Sequence, residues 1–454
     1  MAPMGHFIKR LLLFILLITA PALLFPVVAC AGGSDAERPA SADLDRYAWL
    51  REFHDPSLEA VMAETLRNNL DLERLTVNIE SGMAAVDKAR AGLRPALDLG
   101  VATSIVNGLG THQPVDNPLG SAFVRFSWDF DVWGAGRTEF MAQAARLKAS
   151  EEKYSWLKDM SVVLSAKAWF VAVEAGMQVK FAEEQCIQWR QVFDVVKKKN
   201  EAGLVALQDV ASARTDVDRA QEILFQAQGA LGDARRGLEM IMGRYPAGKI
   251  DVPLALPSLP ADVRQGIPKD ILARRGDARS SDALRDAARF NVLGVKKGYY
   301  PRVSASAQVI KESRELNTLT NDQAALAVYG VQAKATLYDG GRSRADERLA
   351  QAEEKEAGVA YDQLKGNVYK DIETALANEK LLQERSVHLQ AVAGEQLRMT
   401  QLADKQYAAG MIDQTGLIKS RLRLKEAQAA LVHVTAEQLI ARVDLYMALG
   451  GGER

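Results

Sequence analysis

The chain has 454 residues, with 57 Lys+Arg against 58 Asp+Glu and a formal net charge of −1. Near neutrality excludes the basic footprint of a nucleic-acid binder. A composition of 48% hydrophobic and 25% charged residues excludes both a disordered chain and a multi-span helical membrane protein.

In chain order, the first feature is an apolar run over residues 11–29, preceded by Lys9 and Arg10. A cationic start, an apolar stretch and small residues at its end form a bacterial export signal, assigned to residues 1–29. The run ends Val27-Val28-Ala29-Cys30-Ala31-Gly32, which resembles a lipobox, with cleavage before Cys30 and lipidation (palmitate) of that cysteine. Ordinary cleavage after Ala29 or Ala31 and an uncleaved anchor helix are the alternatives, the latter disfavoured by Pro21 and Pro26. With Cys30 lipidated, Cys186 stands alone and reads as a small packed side chain on a helix. Residues 30–54 are read as an N-terminal tail.

The remainder is written twice. Leu93-Arg94-Pro95 is echoed by Tyr299-Tyr300-Pro301, and Trp133-Gly134-Ala135-Gly136-Arg137 by Tyr338-Asp339-Gly340-Gly341-Arg342. Ala202-Gly203 pairs with Ala409-Gly410 and Met242-Gly243 with Leu449-Gly450, all at offsets of 205 to 207 residues. The pattern predicts repeats at 55–243 and 267–450, a linker at 244–266 with prolines at 246, 253, 257 and 260, and a short tail at 451–454.

Each repeat reads helix, strand, loop, strand, very long helix, glycine break, return helix. Period-2 alternation runs over 97–105, 122–132, 302–309 and 327–337. These runs are near the ~9–11 residues that a tilted strand needs to cross a bilayer. Polar loops at 106–120 and 310–323 would lie outside. Asp98, Arg125, Asp129, Arg302 and Lys334 fall on the face able to stay wet, with Phe126, Trp128 and Tyr329 on the other. Four strands cannot close on themselves, and open edges in lipid cost several kcal/mol per backbone group. The barrel must then be shared by two copies or three.

No proline interrupts residues 138–202 or 343–409, which predicts helices of about 100 Å. Tyr154, Leu157, Leu164, Ala168, Val171 and Ala175 mark a heptad-like, coiled-coil seam on the first. Gly203 and Gly410 end these helices before the chain reverses, placing two hairpin tips at one end.

Together these motifs resemble the TolC family of bacterial outer-membrane efflux proteins, in its lipoprotein branch that works with resistance-nodulation-division (RND) pumps. Further carriers are the segment 267–277, Ile-Pro-Lys-Asp-Ile-Leu-Ala-Arg-Arg-Gly-Asp, and the ending Ala448-Leu449-Gly450-Gly451-Gly452. Gly276, where the family has proline, and Glu453, where it has an aromatic, depart from the pattern. The resemblance implies a membrane α+β fold: a trimeric β-barrel of four strands per chain, continued by a long α-helical barrel. It implies a homotrimer in outer-membrane lipid, extending into the periplasm and docked on a periplasmic membrane-fusion adaptor and an inner-membrane pump. Gly203, Leu204, Gly410 and Met411 become candidate adaptor contacts, Asp209 and Asp413 gate candidates, and the five wet-face charges pore-lining candidates.

Conduction through such a duct is passive, so no catalytic residue or cofactor is expected. The histidines at 6, 54, 112, 388 and 433 have no metal-ligand spacing, so no metal is expected either. The competing readings are a duct for type I protein secretion and a non-conducting periplasmic coiled-coil scaffold.

Overall fold

The structure, a computed structural model, describes residues 47–106, 117–260, 270–313 and 325–451. The export signal, Cys30 and most of both predicted exterior loops lie outside the described residues. Helices α1 (Ala48–Arg51), α2 (Pro56–Asn68) and α3 (Leu70–Ala91) lead into strands β1 (Ala96–Val106) and β2 (Asn117–Phe130). Next come α4 (Ala135–Glu201) and α5 (Leu207–Ile241), then α6 (Ile271–Arg274) and α7 (Gly276–Lys297). Strands β3 (Arg302–Ser313) and β4 (Leu326–Lys334) precede α8 (Arg342–Ala408) and α9 (Gln414–Ala448). The two longest helices have 67 residues each and their return helices 35 each.

The strands form one antiparallel sheet in the order β1-β2-β3-β4. Two run further into the predicted loops than alternation indicates, because backbone pairing continues where side-chain polarity stops alternating. β2 starts at Asn117, and β3 reaches Ser313 opposite Gly120. Pro118 is tolerated because β2 there pairs with β1 alone. β4 ends at Lys334, short of the predicted residue 337.

The helices make four columns. α3 and α5 stack end to end beside α4, and α7 and α9 stack end to end between α4 and α8. Asn69 donates to the Ile241 carbonyl at 2.9 Å where α5 meets α3. Gly243, at φ +74°, is required there: a Cβ would lie 2.2 Å from the Asn68 carbonyl oxygen. Gly450 meets Arg274 at the corresponding junction of α9 and α7.

The core lies at these junctions. Tyr47, Trp49, Leu50 and Phe53, from the segment read as a tail, are buried against Trp169, Phe170 and Val173 of α4 and Val443 and Tyr446 of α9. Trp49 stacks on Tyr446 at 5.2 Å, and Trp169 donates to Asp55, the cap of α2, at 2.8 Å. This layer alters the reading of α4. Leu164 and Val171 of the predicted seam are nearly half exposed, while the buried stripe runs through Val162, Ala166, Trp169 and Val173. Both faces of α4 are apolar here, and the N-terminal layer covers the one that heptad spacing does not select. An 18-residue stretch of α4 is apolar enough to cross a membrane by length and composition, but half of it is buried inside the molecule. Cys186 is buried as read, its Sγ 3.5 Å from Gln221 Oε1.

The linker is pinned by Glu239, a buried carboxylate that accepts N–H groups of Gly248, Lys249 and Ile250 at 2.6, 2.7 and 2.9 Å. Burial pushes its pKa up, but these three donors and the charge of Arg244 outweigh burial and hold it below the ordinary glutamate range. A carboxyl group whose pKa is depressed by folding stabilises the native state above its unfolded pKa and loses that contribution as pH falls. Glu239→Ala is therefore expected to lower stability by about 3 kcal/mol at pH 7. The deficit against wild type should shrink as pH drops through the glutamate range, read by thermal melting of the helical circular dichroism in detergent.

Candidate functional site

Cross-strand register sorts the sheet into two unlike faces. Leu97, Phe126, Ala307 and Tyr329 lie in one row, and Leu99, Val124, Val309 and Ala327 in the next. This face is apolar and open, with Leu99 80% and Tyr329 78% exposed. The opposite face carries Asp98, Arg125 and Gln308 in one row, Asp129, Ser304 and Gln332 in another, and Arg302 opposite Lys334. The structure thus gathers all five sequence-selected charges onto one face. Arg125 donates to Gln308 at 3.4 Å and lies over the Phe123 ring, which itself covers Gly100.

Strand passes to helix through an acidic cap that the sequence reading missed. Asp131 accepts from the backbone N–H groups of Gly136 and Arg137 at 2.8 and 2.9 Å, satisfying the first turn of α4. Asp339 does the same for α8, accepting from Gly341 and Ser343 at 3.0 and 2.8 Å. An aspartate just ahead of each glycine turn was the available signal.

At the far ends of the long helices, both reversals have the same hydrogen-bond pattern. Leu204 N–H donates to the Lys199 carbonyl and Gly203 N–H to that of Asn200, each at 2.8 Å. Met411 donates to Gln406 at 2.8 Å and Gly410 to Tyr407 at 3.0 Å. These are Schellman caps, which need a left-handed residue, and Gly203 and Gly410 sit at φ +73° and +70°. Leu204 and Met411 follow directly and are 74% and 72% exposed. The two acids behave differently. Asp209 accepts from Ala206 N–H at 3.0 Å and caps its own helix. Asp413 forms an ion pair with Lys199 of the other hairpin and accepts from Gly416 N–H at 2.8 Å. The Lys199 bond, then the Gly416 bond, hold the Asp413 carboxyl below the usual range against the smaller effect of burial. The pair ties the tips side by side, above a small apolar contact of Val192 with Ile418 and Leu422. Lys199 was not legible as its partner, because the two lie 214 positions apart.

No cluster among the described residues has the composition of a metal site. The profile of the outer membrane efflux protein family matches residues 61–244 and 267–451. The chain is 25% identical to the probable efflux pump outer membrane protein TtgC of Pseudomonas putida, over 89% of this chain and 85% of the relative. It is 23% identical to the cation efflux system protein CusC of Escherichia coli, over 89% and 88%. Among solved structures, the CmeC outer membrane channel of Campylobacter jejuni superposes with a TM-score of 0.79 at 20% identity, covering 89% of this chain and 88% of that one. VceC of Vibrio cholerae gives 0.76 at 20% identity, covering 89% and 98%. These matches favour efflux over the secretion-duct and scaffold readings. With both halves matched by the family profile, on a fold that pairs an open strand sheet with long helical hairpins, the chain belongs to the outer membrane efflux protein family, the TolC-type channels of bacterial efflux systems.

Proposed function

We propose that three copies of this chain close into one twelve-stranded barrel and a continuous helical tunnel, the passive exit duct of a tripartite efflux system. The observation that carries this reading is the sheet: an exposed apolar face flanked by two unpaired edges, β1 and β4. In lipid each free edge leaves backbone groups unsatisfied, so the strands need partners of their own kind. The helices pose the same problem on the same flanks, since the column of α3, which leads into β1, and α5 is one outer column and α8, which follows β4, is the other. One rotation about a common axis answers both. The same element order in the two halves, with outgoing helices of 67 residues and return helices of 35 in each, supports descent from a duplicated unit.

In this reading the apolar sheet face meets lipid, and Asp98, Arg125, Asp129, Arg302 and Lys334 line the wet barrel. Gly203, Leu204, Gly410 and Met411 offer the contact for a periplasmic adaptor, which in turn engages an inner-membrane pump of the RND type. Asp413, held by Lys199, and Asp209 border the entrance as its gate. Residues 1–29 serve export and Cys30 carries lipid.

The test is reconstitution of the full chain in planar bilayers, with native mass spectrometry of the same preparation. Trimers and stepwise conductance are expected. Monomers extracted from membranes by salt, with no conductance, would overturn the reading.

A further inference from the structure

α7 and α9 stack end to end between α4 and α8, and among the described residues their junction leaves a gap beside α4 and α8. A cavity of about 730 Å³ occupies it. Its α8 wall presents Asn367, Lys370, Thr374 and Asn378, spaced 3, 4 and 4 residues apart along one helical face. None of these four side chains has a hydrogen bond or ion pair among the described residues. The other charges at the cavity are already engaged. Lys167 donates to Asp444 at 2.8 Å, and Arg275, 4% exposed, pairs with Asp277 at 2.7 Å and Asp371 at 3.3 Å above the Trp156 ring. Opposite the polar wall, Met160 and Met447 supply an apolar surface.

The chemistry left available is therefore one ammonium and three neutral hydrogen-bonding groups, facing a soft apolar wall. We propose that this cavity is a binding niche for small organic anions with an apolar body, such as aromatic carboxylates. The carboxylate is held by Lys370 and Asn378, with the ring against Met160 and Met447. The niche is built within one chain. It opens on the same face of α4 as Leu164 and Lys167, away from the buried Trp169 and Phe170 that meet the N-terminal layer. In the trimeric duct proposed above, on which this placement rests, that face borders the tunnel, and a solute in transit would pause there.

The experiment titrates 1-naphthoate into the full chain in lipid nanodiscs, by calorimetry, with empty nanodiscs subtracted and 1-naphthalenemethanol as the neutral isostere. Saturable binding of the anion is expected, with weaker binding of the alcohol. Lys370→Met should weaken the anion about tenfold, the effect of one charge-assisted hydrogen bond. Asn378→Leu should weaken it further. Both positions are on an exposed helical wall, so folding is checked simply by retained trimer mass. The proposal is overturned by a lack of saturable binding, or by anion binding that both variants leave unchanged. Conductance recorded on the same preparation separates the two readings: conducting trimers without binding remove the niche and leave the duct, while loss of conductance removes the duct itself.

Discussion

Glu379→Ala should lower the stability of the folded chain by about 3 kcal/mol, roughly the cost of breaking a buried ion pair from one side. Its partner Arg442 is 1% exposed on α9 and donates to Glu379 at 2.5 Å and to the Pro260 carbonyl at 2.7 Å. Removing the carboxylate takes this counter-charge from a buried guanidinium and loosens the linker against α8 and α9. Replacing both partners with apolar residues, Glu379→Leu with Arg442→Met, should recover most of the loss, because neither charge then needs compensation. Thermal melts of both variants in detergent check this. A double variant no better than Glu379→Ala would mean that the Pro260 contact, not the charge pair, holds the junction.

The second large effect is on function. Leucine at both tips, Gly203→Leu with Gly410→Leu, should reduce efflux-dependent resistance to the level of a strain lacking the chain, while trimers persist. Left-handed backbone costs an L-residue roughly 1–2 kcal/mol. Nothing lies within 4 Å of a Cβ at either position, so the helices need not rearrange to make room. The damage stays at the exposed reversal, where Leu204 and Met411 are displayed. Minimum inhibitory concentrations, with trimer assembly measured in parallel, give the readout. Unchanged resistance would show that the tips are turns and nothing more.

How much was legible depended on whether a property is local. The strand period placed five charges on one face without knowledge of any neighbour, and register bears out that grouping. The glycine breaks were equally plain, since φ is a property of one residue. What escaped depends on packing between distant segments. Tyr47, Trp49 and Phe53 look like an ordinary tail until α4 and α9 are placed beneath them. Leu164 and Val171 satisfy a heptad, yet spacing cannot say which of two apolar faces meets a neighbour. Asp413 caps the start of α9, a local role, but its bond to Lys199 exists only once the two hairpins lie side by side. The niche at the helix junction is a gap, and a gap has no sequence signature of its own.

The matched arms carry a further consequence. Both outgoing helices have 67 residues, both return helices have 35, and both reversals use the same cap. The two tips therefore form a level rim. A four-residue insertion in one arm would raise its tip by about 6 Å and turn its apolar stripe by about one-ninth of a revolution. A partner seated across both tips would then lose one of its footholds. Lengthening is tolerable in matched steps, four strokes of the chain at a time, so the genetic record of this architecture should hold its insertions and deletions in correlated sets of four.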